Sequence, residues 1–297
     1  MALIGRGINM KKKLLVSVSG GRTSGLMAKL LFDRFQNEYE MIFVFANTSR
    51  EREETLYFVH QLEEEFKLPI VWVEAVVHHG KRIGSTHKMV NYWSACRDGS
   101  VFEEVIKKYS IPCSSAPHCT RELKKNAINS YAKSVGFNGC ITAIGYRYDE
   151  PKRVNLIKAK DKKQWYPLYE WGIKKTDVAM FWQKQTFDLK LKDYEGNCKL
   201  CYKKSKRKLL TSVLERPQDA EWVMKMELVY GNVVPPNYSG KTPLKFFRNW
   251  ESMQDIIEES KQPFDIAIDQ SMITDVQTSF DFELDEQESC AESCEPF

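Results

Sequence analysis

Four short apolar runs punctuate the first half of the chain: "KLLVSVS" from Lys13, "MIFVFAN" from Met41, "PIVWVEAVV" from Pro69 and "GCITAIGYR" from Gly139. Each is rich in β-branched or aromatic residues and short enough for a strand covered on both faces. The stretches between them carry helical spacing. In "EREETLYFVHQLEEEFK" the apolar positions Leu56, Phe58, Val59, Leu62 and Phe66 share one face, with charge on the other. "TRELKKNAINSYAKSVG" predicts a helix capped by Thr120, with Leu123, Ala127 and Ile128 turned inward and a stop at Gly136. Strands alternating with helices predict βαβ units and a mainly parallel sheet. Ligands of such sheets sit beyond the carboxyl ends of the strands, here the loops starting at Ser19, Ala46 and Gly145. From about Asp193 the pattern changes to short lysine-rich helical segments, and beyond about Gln262 it becomes acidic and weakly periodic.

Composition changes this picture in two ways. With 42% hydrophobic and 28% charged residues over 297 positions, the chain reads as a soluble protein. No apolar run approaches the roughly 20 residues of a membrane helix, and the N-terminus lacks the apolar region of a secretory signal. The expected location is therefore the cytoplasm, where eight cysteines do not make a disulfide scaffold. Secondly, the net charge of +4 conceals a split: Glu251–Phe297 carries 14 acidic residues against one basic, leaving 43 basic against 26 acidic elsewhere. A basic body suits an anionic partner, a nucleotide or a nucleic acid, although lysine-rich helix faces are often simply solvated. No membrane partner is expected.

The first loop, "SGGRTSG", is neither a dinucleotide-binding glycine pattern nor a Walker loop. Glycines let backbone approach an anion closely, and the following helix start offers unpaired N–H groups. Ser19, Gly20, Gly21, Thr23 and Ser24 thus compose a nest for one phosphate or sulfate, the alternative being a plain tight turn. "VFANTSREREETLYFV" follows the second run, bringing Asn47 and Thr48. "AIGYRYDEPKR" follows a later one, with Gly145 and with Arg147 beside Asp149 and Glu150; "WYPLYEWGIKKTDVAMFW" comes next. In this order, over roughly residues 13 to 212, these segments resemble the phosphoadenosine phosphosulfate reductase family of the adenine nucleotide alpha-hydrolase superfamily. The resemblance implies a three-layer α/β nucleotide-binding fold of the PP-loop type with a parallel sheet, extended by lysine-rich helices at the C-terminal side. It implies an adenine nucleotide across the strand ends, held by Ser19, Gly20, Gly21, Thr23, Ser24, Asn47, Thr48, Gly145 and Arg147. Thr23 departs from ATP-cleaving relatives, which usually carry Asp there. The expected organisation is a nucleotide-binding domain over residues 1–212, a helical extension over 213–262 and an acidic, flexible tail over 263–297.

The cysteines form a second constellation. "PCSSAPHCTRELK" holds Cys113 and Cys119, and "GNCKLCYKKSKRKLL" holds Cys198 and Cys201. Two cysteine-rich turns about 80 residues apart in a cytosolic chain suggest four thiolates around one metal centre, unless the cysteines merely pack. The resemblance favours a 4Fe-4S iron–sulfur cluster, with zinc as the alternative. The family's first cysteine pair is adjacent, whereas five residues separate Cys113 from Cys119, which leaves His118 as a substitute ligand. By resemblance Arg121 and Lys124, one helical turn apart, hold the phosphosulfate or triphosphate; a solvated face is the alternative. Cys294, in "SCEPF", matches the family's nucleophilic cysteine only in its place near the C-terminus, and acidic neighbours disfavour its thiolate. Cys96 and Cys140 read as packing residues, with Arg97 placed near the ligand by "ACRDG".

Two chemistries fit. In one, a thiolate attacks the sulfur of adenylyl sulfate (APS) or its 3′-phosphorylated form (PAPS), with a thiol reductant such as thioredoxin as partner. In the other, ATP adenylates an acceptor, nucleic acid included, and a sulfur nucleophile displaces AMP. A non-catalytic nucleotide-binding protein is the third reading.

Overall fold

A computed structural model describes residues 11–114, 116–196, 198–234 and 238–271. Its centre is a six-stranded sheet in the order β4-β3-β2-β1-β5-β6, formed by β1 (Lys12–Val18), β2 (Tyr39–Asn47), β3 (Ile70–Val76), β4 (Thr86–Val90), β5 (Ile141–Ala143) and β6 (Gln164–Trp165). All neighbours pair parallel except β3 and β4. The four apolar runs thus supply β1, β2, β3 and β5. The edge strands β4 and β6 were not expected, because neither alternates apolar and polar positions. β1 lies centrally, in register with β2 from Lys12 opposite Tyr39 to Val18 opposite Phe45, and with β5 from Leu14 opposite Ile141.

Alternation along β1 divides the core between two faces. Leu14, Val16 and Val18 meet α1 (Arg22–Phe35), α2 (Glu53–Phe66) and, later in the chain, Val178 and Trp182. Leu15 faces the other side, with α3 (Ser100–Tyr109) and α4 (Ala127–Ser134). Two short helices, α5 (Leu156–Lys162) and α6 (Pro167–Glu170), flank β6, and α7 (Lys175–Gln183) carries Val178 and Trp182. On the Leu15 face, α8 (Lys206–Glu215), α9 (Ala220–Tyr230) and α10 (Met253–Ser260) add Leu209, Leu210, Val223, Met226, Met253 and Ile256 to the same core. The protein is therefore a three-layer α/β structure with helices on both faces of a mainly parallel sheet. Among the described residues no helix is long and apolar enough to cross a membrane.

Two local expectations are corrected. Thr120 is not a cap: it begins a seven-residue π-helix, Thr120–Asn126, which runs directly into α4. The stretch expected to be flexible from residue 263 is seated on the body in its first part, where the buried Ala267 donates its N–H to Thr211 Oγ1 at 2.9 Å and Asp269 Oδ1 accepts from Asp193 N at 3.0 Å. The rest of that stretch lies outside the described residues, as does Cys294.

Candidate functional site

The order of the sheet reverses direction at β1, with β2 on one side and β5 on the other, which makes its C-terminal end the topological switch point. The first loop occupies this point. Gly20 has φ +84, and a Cβ there would lie 2.5 Å from Thr55 Cγ2, so only glycine fits the turn. Ser24 Oγ receives both Ser19 N–H (3.1 Å) and Ser19 Oγ–H (2.8 Å), and donates to Gly21 O at 3.0 Å. The Ser19 and Ser24 hydroxyls are thus engaged in shaping the loop. The buried Arg22 anchors the helix start from behind: it forks onto Asp188 (2.8 and 3.0 Å) and donates to Leu189 O and Leu191 O.

The loop after β5 closes on the same place. Gly145 passes so near that a Cβ on it would rest 3.4 Å from Ser24 Cα. Arg147, 3% exposed, donates Nε–H to Asp149 Oδ1 (3.0 Å) and points Nη1 at Thr23 Oγ1 (3.5 Å). Its backbone N–H binds the buried Glu150 carboxylate at 3.0 Å, which Arg153 also holds at 2.6 Å. Ser19, Gly20, Gly21, Thr23, Ser24, Gly145 and Arg147 are therefore one cluster.

The loop after β2 faces a second, adjoining feature. Asn47 is fully buried and serves the fold: its amide donates to Glu74 Oε1 (2.6 Å) and Cys96 O (2.8 Å), while Oδ1 accepts from Ser49 N (3.1 Å). Thr48 lines a cleft whose empty space, open mouth included, is about 540 Å³. Cys119, Cys198 and Cys201 line it too, together with Arg50, Lys124, Lys199 and Lys203; Phe102, Trp222 and Phe246 form apolar wall. Sequence reading missed Arg50, Lys199 and Trp222. The first two lie inside the quoted segments "VFANTSREREETLYFV" and "GNCKLCYKKSKRKLL", whereas Trp222 arrives on α9 from a remote segment with no local signal.

Within the cleft Thr48 Oγ1 donates to the buried Glu51 Oε1 (3.0 Å) and sits 3.2 Å from Cys198 Sγ. Lys124 Nζ is 3.6 Å from the same carboxylate oxygen, and Cys119 Sγ is 3.5 Å from Tyr202 Oη. Burial, reinforced by Glu51, pushes the Cys198 thiol well above its usual range. Arg50 is 6% exposed, lies with its guanidinium 4.3 Å from the Trp222 ring centre, and keeps a buried Nε without a hydrogen-bond partner. Burial lowers its pKa from the ordinary arginine value.

Arg121 and Lys124 do not share a target. A π-turn takes more residues than an α-turn, so positions three apart fall on different faces. Cys119, Thr120, Leu123 and Lys124 line the cleft, whereas Arg121 is largely exposed, paired with Glu122 at 2.7 Å and lying over Tyr109. The four cysteines expected around one metal divide three to one. Cys113 is not among the cleft-lining residues and forms an isolated bridge with Ala116. His118, its possible substitute, directs Nε2 to Ser110 O at 2.8 Å, and burial lowers its pKa. Among the described residues no three His, Cys, Asp or Glu side chains are arranged to hold a metal ion. Arg97 is held by Glu53 (2.6 Å) and stacked on Tyr92, in a separate cluster.

A three-layer sheet with a glycine loop at its switch point defines a nucleotide-binding α/β protein. Residues 13–191 match the phosphoadenosine phosphosulfate reductase domain, and the chain belongs to that family. Along almost its whole length it is also similar to a protein of Escherichia phage lambda described as the uncharacterized nin region protein ORF290, with 26% identity over 292 residues, covering 95% of this chain and 94% of the phage protein.

Proposed function

We propose that the protein binds an adenylyl sulfonucleotide and reduces it by thiol transfer. The observation that carries this reading is the convergence of Cys119, Cys198 and Cys201 with Arg50, Lys124, Lys199 and Lys203 on one cleft, at the end of the strand next to the glycine loop. The nucleotide's phosphate lies against Ser19–Ser24 and the Arg147 loop, and its sulfonate enters the cleft. Cations in a partly desolvated wall favour a multiply charged anion far more than the same groups do in water. Family membership supports APS or PAPS as the substrate class.

In the reaction, a cysteine thiolate attacks the sulfonate sulfur. The sulfur–oxygen bond to the phosphate breaks, and AMP or its 3′-phosphorylated form leaves with the electron pair. A second thiolate then attacks the sulfonated cysteine, forming a disulfide as sulfite leaves with the bonding pair. Two thiols are oxidised, the substrate sulfur gains two electrons, and an external dithiol such as thioredoxin restores the thiols. Among the described residues no three His, Cys, Asp or Glu side chains are arranged to hold a metal ion, and no step of this reaction passes through an iron–sulfur or zinc centre.

The test is incubation of the full chain with APS, PAPS or ATP under anaerobic conditions with dithiothreitol. Sulfite equal to the nucleotide monophosphate or bisphosphate released is expected. AMP and pyrophosphate from ATP, without sulfite, would replace this reading with ATP-dependent sulfur transfer to an acceptor such as nucleic acid. Tight nucleotide binding without turnover would leave a nucleotide-binding protein.

A further inference from the structure

We infer that Cys198 and Cys201 form a reversible dithiol–disulfide pair in the cleft, the internal source of the two electrons in the reaction proposed above. The backbone already holds them in a closed turn: Cys201 N–H donates to Cys198 O at 3.2 Å. Four-residue turns of this kind bring their end Cα atoms within about 7 Å, which meets the separation of roughly 4.4–6.8 Å that a disulfide spans. The turn is also set against local preference. Leu200, 3% exposed, takes φ +50, a left-handed conformation that a bulky residue rarely adopts unless its surroundings impose it.

The surroundings that impose it are those of the cleft. Lys199 N–H is tied to Arg50 O at 2.9 Å, and Lys204 N–H to Cys201 O at 3.0 Å, so the turn is pinned at both ends. The buried Lys204 ammonium donates to Tyr194 O and Gly196 O, fixing the approach to the turn. Both cysteines line the cleft, and Cys113 is not among its lining residues. Among the described residues three cysteines line the cleft, a number that accommodates a dithiol pair plus one further thiol.

Chemically, one thiolate of the pair takes the sulfonate from the nucleotide, and the other attacks that cysteine's sulfur and expels sulfite. The S–S bond forms between Cys198 and Cys201, and two protons are released from the two thiols. An external dithiol then reduces the disulfide by exchange, itself becoming oxidised. The inference rests on the sulfonucleotide reading only for the identity of the electron acceptor.

The experiment separates the two. Full-length protein is reduced, freed of thiol, oxidised with diamide, blocked with N-ethylmaleimide and mapped by mass spectrometry; a second sample receives one equivalent of sulfonucleotide in place of diamide. The expected result is a Cys198–Cys201 linked peptide in both, reversed by dithiothreitol, with about one sulfite per chain in the second. In Cys201→Ser the sulfite burst should fall at least tenfold and an S-sulfonate should accumulate on Cys198, while thermal unfolding stays unchanged. Diamide-driven linkage without sulfite would keep the pair and overturn the sulfonucleotide. Both cysteines remaining open to maleimide, pairing with other cysteines instead, or bound iron or zinc lost in Cys198→Ser would overturn the pair.

Discussion

Thr48 Oγ1 lies 3.2 Å from Cys198 Sγ, joining the loop that ends β2 to a cysteine turn 150 residues further along the chain. Either atom can donate in this contact, and both the hydroxyl and the thiol are also directed at Glu51 Oε1. The same carboxylate is 3.7 Å from the sulfur and, after burial, is what raises the thiol's pKa. Glu51→Gln removes that charge. The pKa of Cys198 should fall, its thiolate fraction at a given pH should rise, and iodoacetamide labelling of Cys198 at pH 8 should become several-fold faster. An unchanged labelling rate would show that burial alone governs this thiol.

Lys124 lines the cleft and Arg121 does not. Lys124→Met should therefore weaken sulfonucleotide binding at least tenfold, about 1.4 kcal/mol or more. Arg121→Met, which touches an exposed pair, should change it less than twofold. Isothermal titration on both variants decides the matter, and equal losses would contradict the placement.

Gly20 is constrained twice, by φ +84 and by Thr55 Cγ2. Gly20→Ala should destabilise the protein by about 1–3 kcal/mol in urea unfolding and weaken nucleotide binding. Adding Thr55→Ser removes the clashing methyl but not the backbone cost, so the double variant should recover part of the stability. Full recovery would mean that the left-handed turn itself costs nothing.

Burial lowers the pKa of Lys204 from 10.5 to about 8. Between those values the unfolded chain holds more protons than the folded one, so this residue makes stability rise as pH climbs from about 8 to about 10.5. Below that window its charge works against folding by roughly 3 kcal/mol. Lys204→Met loses two carbonyl contacts at every pH, yet the difference between it and the natural protein should follow this slope. Urea midpoints collected from pH 7 to 10.5 provide the check, and parallel curves would refute the assignment.

A chain ending at Ser271 keeps the segment that binds Thr211 and Asp193. It should match the full chain in nucleotide affinity and sulfite release within twofold. A chain ending at Ser260 uncovers Thr211 and should melt several degrees lower. Sulfite release that disappears in Cys294→Ser would instead assign the attacking thiol to the C-terminal region.

Much of the architecture was legible because β1, β2 and β3 are covered on both faces and must be continuously apolar. β4, Thr86–Val90, is mostly exposed, so nothing in its composition marks it as a strand. Residue types at the glycine loop were readable from local pattern, but their division of labour was not: Arg22 and Asn47 look like ligand groups and are occupied by Asp188 and by Glu74 with Cys96 O. The grouping of Cys119 with Cys198 and Cys201 followed from residue type and spacing. Cys113 was already set apart by spacing, with five residues between it and Cys119 where the family's first pair is adjacent.

The π-turn after Cys119 bears on how the cleft is kept in shape across sequence change. Thr120–Asn126 contains a widened helical turn continuous with α4, whose apolar face is fixed in the core by Ala127, Ile128 and Tyr131. Everything on its N-terminal side is aimed by counting backward from that anchor. Deleting a single residue there removes one residue's rotation, but tightening the turn to α geometry restores most of it, so Cys119 would keep roughly its bearing towards Tyr202. What such a deletion changes is the turn itself, where Leu123 and Lys124 face the cleft and Arg121 faces out. The widened turn thus sorts these side chains between cleft and surface while leaving the cysteine before it and the helix after it in place.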